Sequence, residues 1–201
     1  MARFEFGDLL VQASHNRVYL DMDIGLTLYY PPLDINLADA PPVEGFTDKV
    51  STLVQYSFEI FHNRLTVGAE YVFNYYHVDV LVDPDHQEHR VGAFIQDELS
   101  VSSLVNEVAG TSMPPLIVTA GLRYDHNSKT RYELSPRAAV VFAPAENHSF
   151  RFGYAHAFLK PTFFESSLHI DLEPRDVDID ELDVANPDLD NKTIESLELG
   201  Y

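Results

Sequence analysis

An all-β fold is what these 201 residues predict: an antiparallel transmembrane β-barrel segment of about nine strands. Three observations carry this reading. Apolar and polar side chains alternate with a period of two, short and long links alternate along the chain, and acidic residues collect in a few stretches. A period of two means strand, because successive side chains point to opposite faces of a sheet. In a soluble sandwich the apolar faces turn inward, whereas in a membrane barrel they turn outward to lipid.

The alternation can be followed strand by strand. Arg3 to Ala13 is a weak first candidate. In Tyr19 to Tyr29, Leu20, Met22, Ile24, Leu26 and Leu28 share one face, with Asp21, Asp23, Gly25 and Thr27 on the other. Val50, Val54, Tyr56, Phe58 and Ile60 alternate with Ser51, Gln55, Ser57 and Glu59. Leu65, Val67, Ala69, Tyr71 and Phe73 alternate with Thr66, Gly68, Glu70 and Asn74. Val91, Ala93, Ile95, Leu99 and Val101 follow, and Asp97 interrupts their apolar face. Leu116, Val118, Ala120, Leu122 and Tyr124 alternate with Thr119, Gly121, Arg123 and Asp125. Ser135 to Ala143, Ser149 to Phe158 and a weaker Thr193 to Tyr201 complete the series. Segments of roughly ten residues suit tilted strands crossing a bilayer.

The links support the same architecture. Ser14 to Asn16, His62–Asn63 and Pro144 to His148 are short; Pro31 to Thr47, His77 to His89 and Leu159 to Lys192 are long. Membrane barrels have short turns at the periplasmic end and long loops at the outer end. Ser103 to Pro115 is long for a turn, and Asn127 to Tyr132 is short for a loop.

Charge follows the same division. Asp171 to Asp190 holds nine acids against Arg175, while Pro31 to Asp48 and His77 to His89 hold four each. These three proposed outer loops contain 17 of the 32 acids, and the proposed lipid faces contain almost none. That partition suits a barrel, since charge in hydrocarbon is costly. With 13 scattered Lys and Arg, nucleic acid is not an expected partner. The absence of cysteine removes disulfide, thiolate-metal and cysteine-nucleophile chemistry. No apolar run is long enough for a transmembrane helix, which a barrel does not need.

Several runs resemble the strand signatures of TonB-dependent outer-membrane receptors. These are Val91-Gly92-Ala93-Phe94-Ile95-Gln96-Asp97-Glu98-Leu99, Val118-Thr119-Ala120-Gly121-Leu122-Arg123-Tyr124-Asp125 and Leu134-Ser135-Pro136-Arg137-Ala138-Ala139. Arg151-Phe152-Gly153-Tyr154-Ala155 and Ala157-Phe158-Leu159-Lys160-Pro161-Thr162-Phe163 continue the family order. Asn186-Pro187-Asp188-Leu189 and Glu195-Ser196-Leu197-Glu198-Leu199-Gly200-Tyr201 close it. The match runs from about Arg64 to Tyr201, and residues 1–63 share only its texture. Asp190-Asn191-Lys192-Thr193 departs from the Lys-Pro-Glu-like run usual there.

The resemblance implies part of a 22-stranded barrel whose lumen is filled by a separate plug. It also implies outer-membrane lipid as surroundings and uptake of an iron chelate (a siderophore complex), cobalamin or a similar scarce solute. Energy would come from the TonB system through a box ahead of the plug. No segment of residues 1–201 resembles that plug or box, and Met1 to Phe6 does not resemble a signal peptide. One partial barrel domain over 1–201 is therefore the expectation, in the bacterial outer membrane. Two alternatives are a small stand-alone porin-like or adhesion barrel, and a soluble β-sandwich binding module.

Individual side chains suggest structure more than chemistry. Glu70, Glu98, Arg123, Arg137, Arg151 and Glu198 fall on the proposed lumen face of successive strands, where opposite charges can pair. Arg137 with Glu98 is one such expected pair. No nucleophile, base and orienting group converge, and Ser135-Pro136-Arg137 is no nucleophile elbow, so neither an enzyme nor a cofactor is expected. His77, His86 and His89, in a proposed loop with Asp79, Asp83, Asp85 and Glu88, are the best metal-ligand candidates. Their spacings of nine and three match no closed metal site. Asp176 to Glu181 lacks the glycine and bidentate glutamate of a calcium loop, and Phe163-Phe164 is placed at the membrane rim.

Overall fold

In a computed structural model, the structure describes residues 1–22, 27–30, 35–39, 43–79, 85–129, 131–162, 165, 169–171, 173–174, 181–183, 186 and 189–201. Its elements are β1 (Ala2–Phe6), β2 (Leu9–Met22), β3 (Thr27–Tyr30), β4 (Ile35–Asp39), β5 (Val43–Ile60), β6 (Asn63–Val78) and β7 (Asp85–Ser100). Helix α1 (Val101–Ala109) follows. Then come β8 (Leu116–Asn127), β9 (Arg131–Ala145), β10 (His148–Leu159), β11 (His169–Asp171), β12 (Glu173–Pro174), β13 (Glu181–Asp183) and β14 (Lys192–Gly200).

Nine strands form one antiparallel sheet in the order β1-β2-β5-β6-β7-β8-β9-β10-β14. Each strand pairs with its neighbour along the chain, apart from the short strands β3–β4 and β11–β13, which form two small separate sheets. Links at 7–8, 61–62, 101–115 and 146–147 lie at one end. The strand ends at Met22, Val43, Val78, Asp85, Asn127, Arg131, Leu159 and Lys192 lie at the other.

The register makes each face continuous. On one face Val11, Val54, Ala69, Ala93, Tyr124 and Leu134 stand opposite one another in turn. Val54, Ile95, Leu122 and Phe152 on this face are 42%, 48%, 44% and 47% exposed, so no second layer of described residues covers it. Buried hydrophobic residues among those described are Val43, Val72 and Val78. A soluble sandwich of this size would bury such a face. On β5 the apolar outward residues run from Ile60 up to Val50. At ~3.4 Å per residue and ~40° tilt this spans ~25 Å, the height of a barrel's lipid band.

Three boundaries differ from the alternation-based reading. Arg3 to Ala13 is not one strand: the chain reverses at Gly7–Asp8, with Phe6 paired to Leu9. Gly7 has φ 59°, which glycine adopts without steric cost, so the turn forms there. Ser14 to Asn16 lies instead within β2, and the Ser14 hydroxyl meets that of Ser51 across the strands at 2.7 Å. Tyr19 to Tyr29 is also divided. Tyr19 to Met22 ends β2, while Thr27–Tyr30 pairs with β4 outside the main sheet. Alternation reports extended backbone but does not say which sheet receives it. Finally, the link after β7 contains α1, closed by Gly110 at φ 64°.

Candidate functional site: the lumenal wall

The face opposite the apolar band is polar, and its long side chains lean across glycines. Glu70 on β6, Gly92 on β7 and Asp125 on β8 stand side by side in the register. Arg123 on β8 lies over Gly92 and donates to Glu70 on the far strand at 2.7 Å. It also donates to both carboxylate oxygens of Asp125, at 2.7 and 2.8 Å. A Cβ at Gly92 would stand 2.6 Å from the Arg123 Nη2, so this reach requires glycine. Arg137 on β9 similarly crosses Gly121 on β8 to donate to Gln96 on β7. The Phe94 ring covers Gly68.

Near the outer end of this wall, Glu88 is only 6% exposed. A buried carboxylate needs a cation and hydrogen-bond donors to offset desolvation. Lys160, the first residue after β10, supplies the cation. Asn127 donates to one carboxylate oxygen; Asn74 and Tyr76 donate to the other, at 3.1 and 3.4 Å. These groups border a cavity of about 320 Å³ whose cationic lining is Lys49, Arg90 and Lys160. Arg90 Nη2 is 3.6 Å from Glu70, and its Nε is buried with no hydrogen-bond partner among the described residues.

The root of the longest link is tied to the same wall. Asn191 donates to Glu133 on β9 at 2.9 Å. The Thr162 N–H donates to Glu165 at 2.7 Å, and the Glu165 N–H donates back to the Thr162 hydroxyl, the reciprocal pattern of a capping box. Lys192 stands 3.4 Å from the same carboxylate. The Thr162 N–H first, then its hydroxyl and Lys192, hold the Glu165 carboxyl below the usual range.

The expected charge ladder is realised in part. Glu70 and Arg123 meet, skipping a strand, while Arg137 takes Gln96 rather than Glu98. Arg151 and Glu198 approach to 3.9 Å but are both exposed. The sequence places Glu88 only beside the histidines and Asp125 only on a polar face, and it gives no sign of the Glu88–Lys160 and Glu88–Asn127 contacts. Lys160 and Glu88 lie 72 positions apart, so no local spacing marks them.

The three histidines are not brought together on one face. They lie in strands rather than a loop: His77 in β6, His86 and His89 in β7. A separation of three in a strand puts residues on opposite faces, so His86 faces the lumen and His89 faces outward. His89 packs on Phe73 and Tyr71, with ring centroids 5.0 and 6.2 Å away. His77 pairs with Asp79 and Asp85, each at 2.8 Å. No cluster of at least three His, Cys, Asp or Glu suited to a metal occurs among the described residues. Asp176 to Glu181 apart from Glu181, and Phe163-Phe164, lie outside the described residues, as does the side chain of Glu181.

An apolar face that no described residue covers and a polar opposite face on one continuous antiparallel sheet define a membrane β-barrel wall. The profile of the family described as "TonB dependent receptor-like, beta-barrel" matches residues 3–201, and the chain belongs to that family. Barrels of this family are outer-membrane proteins of Gram-negative bacteria. Among solved structures, the siderophore receptor PirA from Acinetobacter baumannii is similar at TM-score 0.60 and 21% identity, covering 98% of this chain and 31% of that one. The siderophore receptor PirA from Pseudomonas aeruginosa is similar at TM-score 0.58 and 17% identity, covering 95% and 35%. These likenesses concern the fold, and the chain spans about a third of each receptor. No curated protein matches the sequence.

Proposed function

We propose that residues 1–201 are a stretch of barrel wall in an outer-membrane receptor that imports an iron–siderophore, cobalamin or a similar scarce solute. The observation that carries this reading is the two-faced nine-stranded sheet: outward residues suited to lipid, inward charges held in place across glycines. A wall of this kind encloses a plug and supports outer loops, and the TonB system supplies energy through the plug. The outer strands β1 and β14 pair only with β2 and β10 among the described residues. In lipid such edges need further strands, which favours a larger barrel of the 22-stranded type over a stand-alone one.

The test is uptake by native cells carrying a deletion of the gene. Labelled iron–siderophores and labelled cobalamin are offered in turn under starvation. Loss of uptake of one solute, also lost without TonB, supports the reading; unchanged uptake of every solute in the panel counts against it. An immunoblot decides the larger frame. An outer-membrane band well above 22.8 kDa supports a full receptor, and a band at that mass supports a small independent barrel.

A further inference from the structure

The end of the sheet with the shorter turns carries an apolar rim that barrel closure and a polar lumen do not require. Phe61, at the tip of the β5–β6 turn, has φ 55° and is 98% exposed. Left-handed backbone favours Gly or Asn, so a bulky ring there is retained against local sterics. The next link at this end is not a tight turn but α1. Val101, Leu104, Val105 and Val108 recur on it at helical spacing and form one apolar stripe. Leu104 and Val108 are 40% and 79% exposed.

This rim is held rigidly. Ser102 accepts from the Leu116 N–H at 3.2 Å, and Asn106 accepts from the Met113 N–H at 2.6 Å. His62 of the turn pairs with Glu107 of the helix, which sets Phe61 and α1 at the same rim. Phe61 directly follows Ile60, the lowest residue of the outward apolar band on β5, and Leu99 of that face immediately precedes the Ser100–Val101 junction.

We infer that Phe61 and the Leu104–Val108 edge of α1 form a membrane anchor, seated in the headgroup–acyl boundary of the inner leaflet of the outer membrane. The inference rests on the outer-membrane reading and goes beyond it. Continuity with the lipid band identifies the occupant: the rim begins where that band stops, at the end with the shorter turns. An amphipathic helix lying in the interface buries its apolar edge by only a few ångströms while its polar side stays wet. Ser103 and Glu107 occupy that polar side.

The chain has no cysteine, so single Cys variants can carry a nitroxide label. The protein as the cell makes it, reconstituted in phosphatidylethanolamine–phosphatidylglycerol vesicles, is labelled at Val108→Cys or Ser103→Cys. The expected result is a Val108 label reached by oxygen and shielded from a water-soluble nickel complex, with the Ser103 label the reverse. A Val108 label as open to nickel as the Ser103 label would overturn the anchor. Shielding that appears only after adding periplasmic extract would also overturn it and indicate a protein partner. Phe61→Asn gives an independent sign. Relief of the left-handed strain alone raises the urea midpoint in vesicles, whereas loss of an anchor lowers it. An unchanged or raised midpoint removes Phe61 from the anchor. If uptake experiments disprove the transport reading, these labels still report where the rim sits.

Discussion

The two faces of the same strands solve opposite problems. Outward residues such as Val54, Ile95 and Phe152 find no partner across their face among the described residues and depend on lipid for their burial. Inward residues such as Arg123 and Glu88 find polar partners one or two strands away and depend on the register. Neighbours in sequence therefore obey different rules. Val54 stands on the uncovered apolar face, and Gln55 beside it lines the polar one with Arg123 and Arg137.

The largest contrast is expected from placing the same charge on each face. Val54→Arg should cost ~2–4 kcal/mol in bilayer-based unfolding, because Val54 lies near mid-band. Gln55→Arg should stay within ~0.5 kcal/mol, as expected for a solvated position. Equal costs would mean that the faces have been assigned wrongly. Next comes Lys160→Ala, which leaves the buried Glu88 carboxylate with neutral donors only. A loss of ~2 kcal/mol is expected, the scale of a hydrogen bond to a charged group. Lys160→Ala combined with Glu88→Gln should recover part of it, and urea unfolding of both variants checks this.

A smaller effect separates glycines that are crossed from glycines that are not. Gly92→Ala puts a Cβ 2.6 Å from the Arg123 guanidinium and should cost ~1 kcal/mol as that side chain gives way. Gly153→Ala meets Glu198 at an ordinary 3.7 Å and should be nearly neutral. Thermal unfolding in detergent ranks the two. Arg151→Ala should have a smaller effect still, under ~1 kcal/mol and fading with salt, because both partners of that pair are exposed.

Last is the acid response of the loop root. The folded state holds the Glu165 carboxyl below its ordinary 4.5. Its stabilising contribution is therefore present above that value and lost as pH falls through the lower folded-state value. A carboxyl-resolved NMR titration should show a depressed midpoint that Lys192→Ala moves partly back. An unmoved midpoint would leave the Thr162 contacts as its whole cause.

Much of this fold is legible in the chain because strand geometry is written at period two. The strands from β5 to β10 lie where Val50 to Phe158 alternate, and their count survives redrawing at the N-terminus. The errors have local causes. Gly7 was outweighed by an alternation that runs on through it, although its left-handed turn is what reverses the chain. Val101 continues the strand pattern by parity, yet it opens a helix whose own period emerges only over Val101 to Val108. The histidines were grouped by proximity in sequence, whereas β6 and β7 extend far enough to put them on two faces.

By itself, the sequence determined which residues face lipid and which face the lumen from β5 to β10, whereas on β2 the register turns Leu20 and Met22 to the face of Ser14 and not to that of Val11. A side chain's face depends on its parity within its own strand, and hydrocarbon penalises every misplaced charge. The tertiary structure decided which lumenal groups meet. Arg123 reaches Glu70 across a strand as well as the nearer Asp125, and Lys160 finds Glu88 from 72 positions away, because register and a missing Cβ open those paths. Those are properties of strands side by side, and no single strand contains them.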